Sequence, residues 1–258
     1  MLFQIKYFFN FLFKSTNQHG VHSPFVFKLL TDCFYDKTEK PWYSKLRDYR
    51  HSLVKNNASI TVKDFGAGSK ALDKKERKVT DIAKNAGITL KRAQLLGRLV
   101  AYFDIQHTLE IGTSLGISTA AMRMAKSTHS ITTLEGCPNT AQIAIDSFET
   151  FGLKNIDLEI GSFAETLPNV LKNNTFDLIY FDGNHQKQAT IDYFLACLPH
   201  IHNESVFIFD DIYWSKGMSE AWKYIKNHAS VTVSIDTFYW GIVFFRKEQE
   251  KEAFVVRV

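Results

Sequence analysis

Three aspartates and one histidine stand at the ends of two strongly apolar segments. Asp177-Leu178-Ile179-Tyr180-Phe181-Asp182-Gly183-Asn184-His185 reads as a buried strand that ends in Asp182, with His185 three residues further on. Val206-Phe207-Ile208-Phe209 reads the same way and ends in Asp210-Asp211. In an open α/β sheet, ligands bind in the crevice outside the carboxyl ends of the strands, so these three carboxylates are expected to converge there. Converging carboxylates repel, and a hard divalent cation relieves that repulsion. Oxygen-only ligands favour magnesium, with manganese or calcium as substitutes, over zinc. The bland reading is one structural aspartate plus a pair of which Asp211, placed before a turn, serves as a cap.

A second constellation has a different chemistry. Thr108-Leu109-Glu110-Ile111-Gly112-Thr113-Ser114-Leu115-Gly116-Ile117-Ser118-Thr119 is an apolar strand running into two glycines, followed by the amphipathic pattern Ala121, Met122, Met124, Ala125. Strand, glycine loop and helix in that order make an anion site, because helix N-terminal amides point at the ligand and glycines let it approach the backbone. The order G-x-G-x-x-G of a dinucleotide site is absent. Glu110, in the strand end, is poorly suited to lie beside phosphate and suits a cofactor with a cationic amino group. The following strand, Ile131-Thr132-Thr133-Leu134-Glu135, ends in an acid at the expected spacing. A rival loop, Asp64 to Ser69, also follows a strand-like run, but Lys70 to Lys78 after it is charged and has no apolar face. That loop is expected to be a structural turn or part of a lid.

The elements that must position these residues follow from periodicity. From Val21 to Phe103 the pattern is helical, starting with Ser23-Pro24 as cap and first helical residue, with Phe25, Val26, Leu29, Leu30 and Phe34 on one buried face. Further helices are predicted over Trp42 to Lys55, Val79 to Asn85 and Leu90 to Tyr102. After Gln106 short β-rich runs alternate with helical patterns: His107 to Ile111, Ser130 to Glu135, Ile156 to Ile160, Phe176 to Phe181 and Ser205 to Phe209. The expected fold is therefore α/β, a doubly wound and mostly parallel sheet. Val231 to Ile235 and Tyr239 to Arg246 lie too close in sequence for a helical crossover and should form an antiparallel hairpin at one sheet edge.

In the first fourteen residues, Leu2, Phe3, Ile5, Tyr7, Phe8, Phe9, Phe11, Leu12 and Phe13 are apolar, while Lys6, Asn10 and Lys14 recur on one stripe. This stretch is too short to span a bilayer and lacks the form of a secretory signal. A helix packed on its own domain or on a second subunit, giving a homodimer, is the favoured reading, and an interfacial membrane helix the lesser one. With 31 basic against 27 acidic residues, the net charge of +4 argues for no nucleic-acid partner. Cys33, Cys137 and Cys197 have neither zinc nor disulfide spacing, which points to a reducing, cytoplasmic setting.

Over roughly Ala93 to Arg246 the chain resembles class I S-adenosylmethionine-dependent methyltransferases, and within them the metal-dependent O-methyltransferases of the catechol, caffeoyl-coenzyme A and macrolide-sugar types. The resemblance implies a Rossmann-like sheet over 93–258, with 1–92 as a helical extension or lid. It implies that Glu110, Gly112, Thr113, Ser114, Gly116 and Ser118 hold the methionine moiety, and that Glu135 with Gly136 holds the ribose. Gly161, Ser162 and Phe163 would sit at the adenine edge, with Asp182 also bordering the cofactor. It implies Asp182, Asp210 and Asp211 as ligands of a divalent cation, expected to be Mg2+, with Asp210-Asp211 standing where the catechol and caffeoyl enzymes have an Asp-Asn pair. A histidine three residues after the first ligand makes His185 the general base, since neutral imidazole can take a hydroxyl proton near neutral pH. The substrate would be a small-molecule hydroxyl. Alternatives are a metal-independent methyltransferase acting on nitrogen or RNA, and a noncatalytic cofactor-binding protein that works through its aromatic N-terminal helix. His19 to Phe25 and Trp214 are plausible substrate-side residues.

Overall fold

The computed structural model describes residues 2–63, 75–172 and 174–258. Packing divides the chain into two compact units, one formed by Met1–Lys37 with Asn173–Val258 and the other by Thr38–Lys172. The first unit begins with α1 (Leu2–Lys14) and α2 (Pro24–Leu29), the latter continuing as a π-helical turn over Leu30–Phe34. Pro24 opens α2 as expected, but Ser23 makes no side-chain cap bond. Val26, Leu29, Leu30 and Phe34 are buried, while Phe25 is half-buried with its ring edge against Phe244.

In the unit Thr38–Lys172, α3 (Tyr43–Lys55), α4 (Val79–Asn85) and α5 (Leu90–Tyr102) run close to the bounds that periodicity predicts. Between α3 and α4 a small antiparallel ladder pairs β1 (Ser59–Thr61) with β2 (Glu76–Lys78). The Asp64–Ser69 loop between these strands lies outside the described residues. Three parallel strands follow, β3 (His107–Ile111), β4 (Ser130–Glu135) and β5 (Ile156–Ile160), with β4 in the middle. They alternate with α6 (Ile117–Ala125), α7 (Pro138–Thr150) and α8 (Phe163–Leu171). Parallel pairing sets Glu110 opposite Thr133 and Glu135 opposite Ile160, so the loops that leave the three strands emerge at one edge. Leu46, Tyr49, Leu53, Leu96, Leu99 and Val100 are buried to 2% exposure or less, and each such aliphatic side chain contributes about 1.5–3 kcal/mol.

The chain then returns to the first unit. There β6 (Leu178–Phe181) and β7 (Val206–Phe209) are parallel, and α9 (Lys187–Cys197) and α10 (Lys216–Asn227) accompany them. The expected hairpin is present as β8 (Val233–Asp236) and β9 (Gly241–Phe244), antiparallel to each other, with β9 antiparallel to β7. Its position differs from expectation. A last strand, β10 (Glu252–Val255), pairs parallel with the outer side of β8 and takes the edge. Phe181 and Phe209 stack at 4.2 Å on adjacent strands, and Phe194, Phe207 and Trp222 close around them. These strands, mostly parallel with antiparallel members and flanked by helices, form the doubly wound, Rossmann-like sheet expected from the sequence. Among the described residues no helix is long and apolar enough to cross a membrane.

Candidate active site

The carboxyl edge of β3, β4 and β5 is organised by main-chain conformation. Gly112, Ser114 and Gly116 have φ of 110, 49 and 73°, so the chain turns sharply between β3 and α6. The amides of Gly112 and Thr113 both donate to Leu134 O at 3.0 Å, which ties the loop to β4. Gly116 is the left-handed N-cap of α6. A Cβ there would come within 2.5 Å of the Phe148 ring and 2.9 Å of the Tyr49 hydroxyl. That hydroxyl donates to Leu115 O at 2.9 Å. Glycine at 116 is thus required by its backbone and by the packing behind it. The open backbone expected from the sequence has this second cause.

Glu135 stands at the end of β4 with both oxygens engaged. Ser114 N donates to Oε2 and Cys137 N to Oε1, each at 2.8 Å. Gly161 N donates to the Glu135 carbonyl at 3.0 Å, bringing the loop after β5 to the same place. Gly136 is half-buried beside Glu135. Gly161, Ser162 and Phe163 are half-buried at the start of α8, where Ser162 is the N-cap and its Oγ donates to Glu165 Oε2 at 2.6 Å. The first-turn amides of α6, including that of Ser118, lie at a helix N-terminus and suit a carboxylate.

Glu110 is fully buried beneath this loop. Its Oε2 accepts from Thr133 Oγ1 at 2.7 Å and from the Thr119 hydroxyl, and Thr113 Oγ1 lies 2.6 Å from Thr133 Oγ1. Its Oε1 meets no donor in hydrogen-bonding geometry. Burial pushes the Glu110 carboxyl up to about 7, against the opposing pull of the Ser118, Thr119 and Thr133 hydroxyls and with the nearby Glu135 charge adding to the rise. Sequence reading found Glu110 but missed Thr119, Thr133 and Tyr49. The signal for the threonines was available: hydroxyls in a buried strand and a buried helix start need partners.

In the unit Met1–Lys37 with Asn173–Val258, the ends of β6 and β7 are organised by side chains. The Tyr180 hydroxyl lies 3.3 Å from Asp182 Oδ2 and 3.1 Å from Asp210 Oδ2, so it stands between the two carboxylates. Asp210 is buried, and its Oδ1 accepts from Asp211 N at 2.8 Å. His185 Nε2 is 3.7 Å from Asp182 Oδ1, and both side chains are about one-fifth exposed, at 23% and 22%. Asn184, His185 and Asp211 carry φ of 70, 46 and 52°, a left-handed conformation that costs non-glycine residues energy and that gathers at working sites. The structure therefore brings together Asp182, Asp210, His185 and the unanticipated Tyr180. Asp211 meets Asp210 through its backbone amide, and among the described residues no three acidic, histidine or cysteine groups are placed to hold a metal ion. Near the N-terminus His19 and His22 are exposed, Val21 is buried, and the Arg246 guanidinium lies 4.9 Å over the Phe25 ring; Trp214 is half-buried.

Residues 109–212 match the family model described as a methyltransferase domain. No curated protein matches the chain. Solved structures do. The SAH-bound Podospora anserina methyltransferase PaMTH1 is 13% identical with a TM-score of 0.61, over 88% of this chain and 97% of that one. The O-methyltransferase of Bacillus cereus in complex with SAH is 16% identical with a TM-score of 0.56, over 82% and 94%. The O-methyltransferase TomG of Streptomyces achromogenes, involved in tomaymycin synthesis and in complex with SAM, is 15% identical with a TM-score of 0.56, over 81% and 91%. At these identities the likeness is one of fold.

Proposed function

We propose that this chain is an S-adenosylmethionine-dependent O-methyltransferase acting on the hydroxyl of a small molecule, with 93–258 as the cofactor-binding domain and 1–92 as a helical extension. The observation that carries the reading is the Glu135 carboxylate, which the Ser114 and Cys137 amides hold in place at the end of β4, where a vicinal diol would be recognised. Solved O-methyltransferases of the same fold that hold SAM or SAH support the choice of cofactor. The α6 N-terminus would take the methionine carboxylate, the Gly112–Gly116 turn would pass along the amino-acid end, and Gly161, Ser162 and Phe163 would border the adenine. When bound, the cofactor supplies an electrophilic methyl group on a sulfonium.

The remaining work belongs to the chain's own residues. His185 would take the proton of the substrate hydroxyl, and Asp182 at 3.7 Å would stabilise the imidazolium so formed. The Tyr180 hydroxyl, with one proton shared between them, bridges Asp182 and Asp210, and the left-handed backbone at Asn184 and His185 fixes the direction in which the imidazole is presented. A divalent cation is the finer question. Asp182, Asp210 and Asp211 are all oxygen donors and suit Mg2+ by chemistry. As placed here they do not fit it, since Tyr180 occupies the space between two of them and Asp210 turns its other oxygen to an amide. Metal-independent proton transfer by His185 is the second reading that this geometry favours.

Calorimetry with S-adenosylmethionine and its demethylated product tests the cofactor, with micromolar binding expected, about 8 kcal/mol. Tight NAD binding with no response to S-adenosylmethionine would overturn the reading. Methyl transfer from labelled cofactor to a panel of catechol, sugar, lipid and polyketide hydroxyls, run with chelator and again with added magnesium, separates the two forms. Activity lost in chelator and restored by magnesium establishes the metal-dependent form. Full activity in chelator establishes the other.

A further inference from the structure

The helix α1 has two unlike faces. Tyr7 packs on Tyr213 at 5.1 Å between ring centroids and Phe11, which is buried, packs on Phe238 at 5.6 Å. On the other side Ile5, Phe9, Leu12 and Phe13 are exposed, Phe9 by 56% and Phe13 by 88%, and Phe8 stands at the margin, partly exposed with its ring edge-on to that of Phe238 at 5.0 Å between centroids. At 3.6 residues per turn these five fall in one continuous arc of about 140°. Lys6, Asn10 and Lys14 lie on the stripe that borders that arc. The bare surface extends beyond the helix through Phe238 to Tyr239, whose ring is 5.2 Å from that of Phe238 and which is 51% exposed.

Charge selects the occupant. From Met1 to Thr31 the chain has no aspartate or glutamate, and it carries Lys6, Lys14 and Lys28. A second copy would bring the same lysines to the same rim. Area argues in the same direction, because a helix of 13 residues is about 20 Å long and one face of it covers a few hundred Å2, well short of the roughly 800 Å2 per partner that a stable dimer buries. A lipid surface makes no such demand on area. Phenyl rings enter the acyl boundary, tyrosine sits at headgroup level, and lysines at the rim reach back to phosphate.

We infer that the exposed face of α1, with Tyr239 at its margin, seats this protein on an anionic lipid surface, with the helix lying in the interface plane. Neither the methyl-transfer reading nor its cofactor site is needed for this, so the two fail separately. The role of a mere packing helix, favoured by the sequence, accounts for Tyr7 and Phe11 and leaves the outer face without a purpose.

The test uses the full chain and vesicles of phosphatidylcholine alone or of one part phosphatidylserine to two parts phosphatidylcholine. Wild-type protein is expected to sediment with the anionic vesicles and much less with the neutral ones, and added salt should weaken the binding. The double substitution Phe9→Glu with Phe13→Glu is expected to reduce the bound fraction at least tenfold while the melting temperature stays unchanged, both positions being exposed. Lys6→Glu with Lys14→Glu should remove the preference for phosphatidylserine. Should the double glutamate variant fail to fold, Phe13→Ser serves in its place. No sedimentation of wild-type protein with anionic vesicles overturns the inference. So does a dimer, seen by light scattering, that the Phe9 and Phe13 substitutions dissociate, since the face would then belong to a second copy.

Discussion

The edge after β3 and β4 and the edge after β6 and β7 both present buried acids, yet they are built on opposite principles. Around Glu110 and Glu135 the positive φ values fall on Gly112 and Gly116 as well as Ser114, and main-chain amides grip the Glu135 carboxylate. Around Asp182 and Asp210 the positive φ values fall on Asn184, His185 and Asp211, which adopt them at more cost than glycine though more readily than most residues, and a phenol hydroxyl lies between the carboxylates. The first region is shaped by backbone and ought to keep its form when a side chain is lost. The second is shaped by side chains and ought to be sensitive to each. Strain accepted by a histidine is a cost carried for function, whereas a glycine in the same conformation carries almost none.

The comparison is broken or sharpened most strongly at His185. Replacing it with alanine is expected to lower turnover by about 10²- to 10⁴-fold while cofactor affinity stays within about twofold, with partial recovery at higher pH as the substrate ionises unaided. Steady-state kinetics beside calorimetry checks this, and unimpaired turnover would remove His185 from the reaction. Gly116→Ala comes next, because it forces a methyl against Phe148 and an unfavourable φ together. A loss of about 3 kcal/mol of stability is expected in urea melts. If stability is retained, the loop is less dictated by its backbone than the contrast requires.

The third test concerns pH. The Glu110 carboxyl is raised from 4.5 to about 7 by burial, so the folded chain holds its proton over a range in which the unfolded chain has released it. The associated stability is complete below about 4.5, declines as pH rises towards 7, and is gone above that, a change of about 3 kcal/mol. Glu110→Gln should flatten that slope in melts taken from about pH 4 to about pH 8; an unchanged slope would assign it to other groups. Glu135→Ala is expected to weaken cofactor binding by about 1.5–3 kcal/mol, the scale of a hydrogen bond to a charged group, without altering the fold. Calorimetry reads this directly. The smallest effect is expected from Tyr180→Phe, about 1 kcal/mol of stability. If a cation belongs between Asp182 and Asp210, the same variant should bind magnesium more tightly than wild type in a thermal-shift titration.

Much of this was legible in the residues. The strands β3, β4 and β5 were readable with their bounds because each is a short β-rich run with a helical pattern on both sides. The strand β10 was not, being four residues of mixed exposure near the chain end that are strand only through their pairing with β8. That pairing also moved the hairpin away from the edge. Glu110, Glu135, Asp182 and Asp210 announce themselves as acids at apolar strand ends. Tyr180 does not, since a tyrosine inside Leu-Ile-Tyr-Phe is indistinguishable from a packing residue until its hydroxyl is seen between two carboxylates. Gly116 was found for one reason and has another, because Phe148 and Tyr49 reach it only through tertiary packing.

The crowding behind Gly116 also constrains how this chain can change over generations. A side chain at 116 is strained by the left-handed backbone in any case, and it finds room only after Phe148 has been exchanged for something smaller and the Tyr49 hydroxyl has moved away. Either of those exchanges opens a void in a packed core before it brings any benefit. The permitted path therefore crosses a valley of unstable intermediates, and drift at 116 is held in check by residues that never meet a ligand. Descendants of this sequence should retain glycine at 116 for as long as they retain the ring at 148, even in lineages that have given up the reaction.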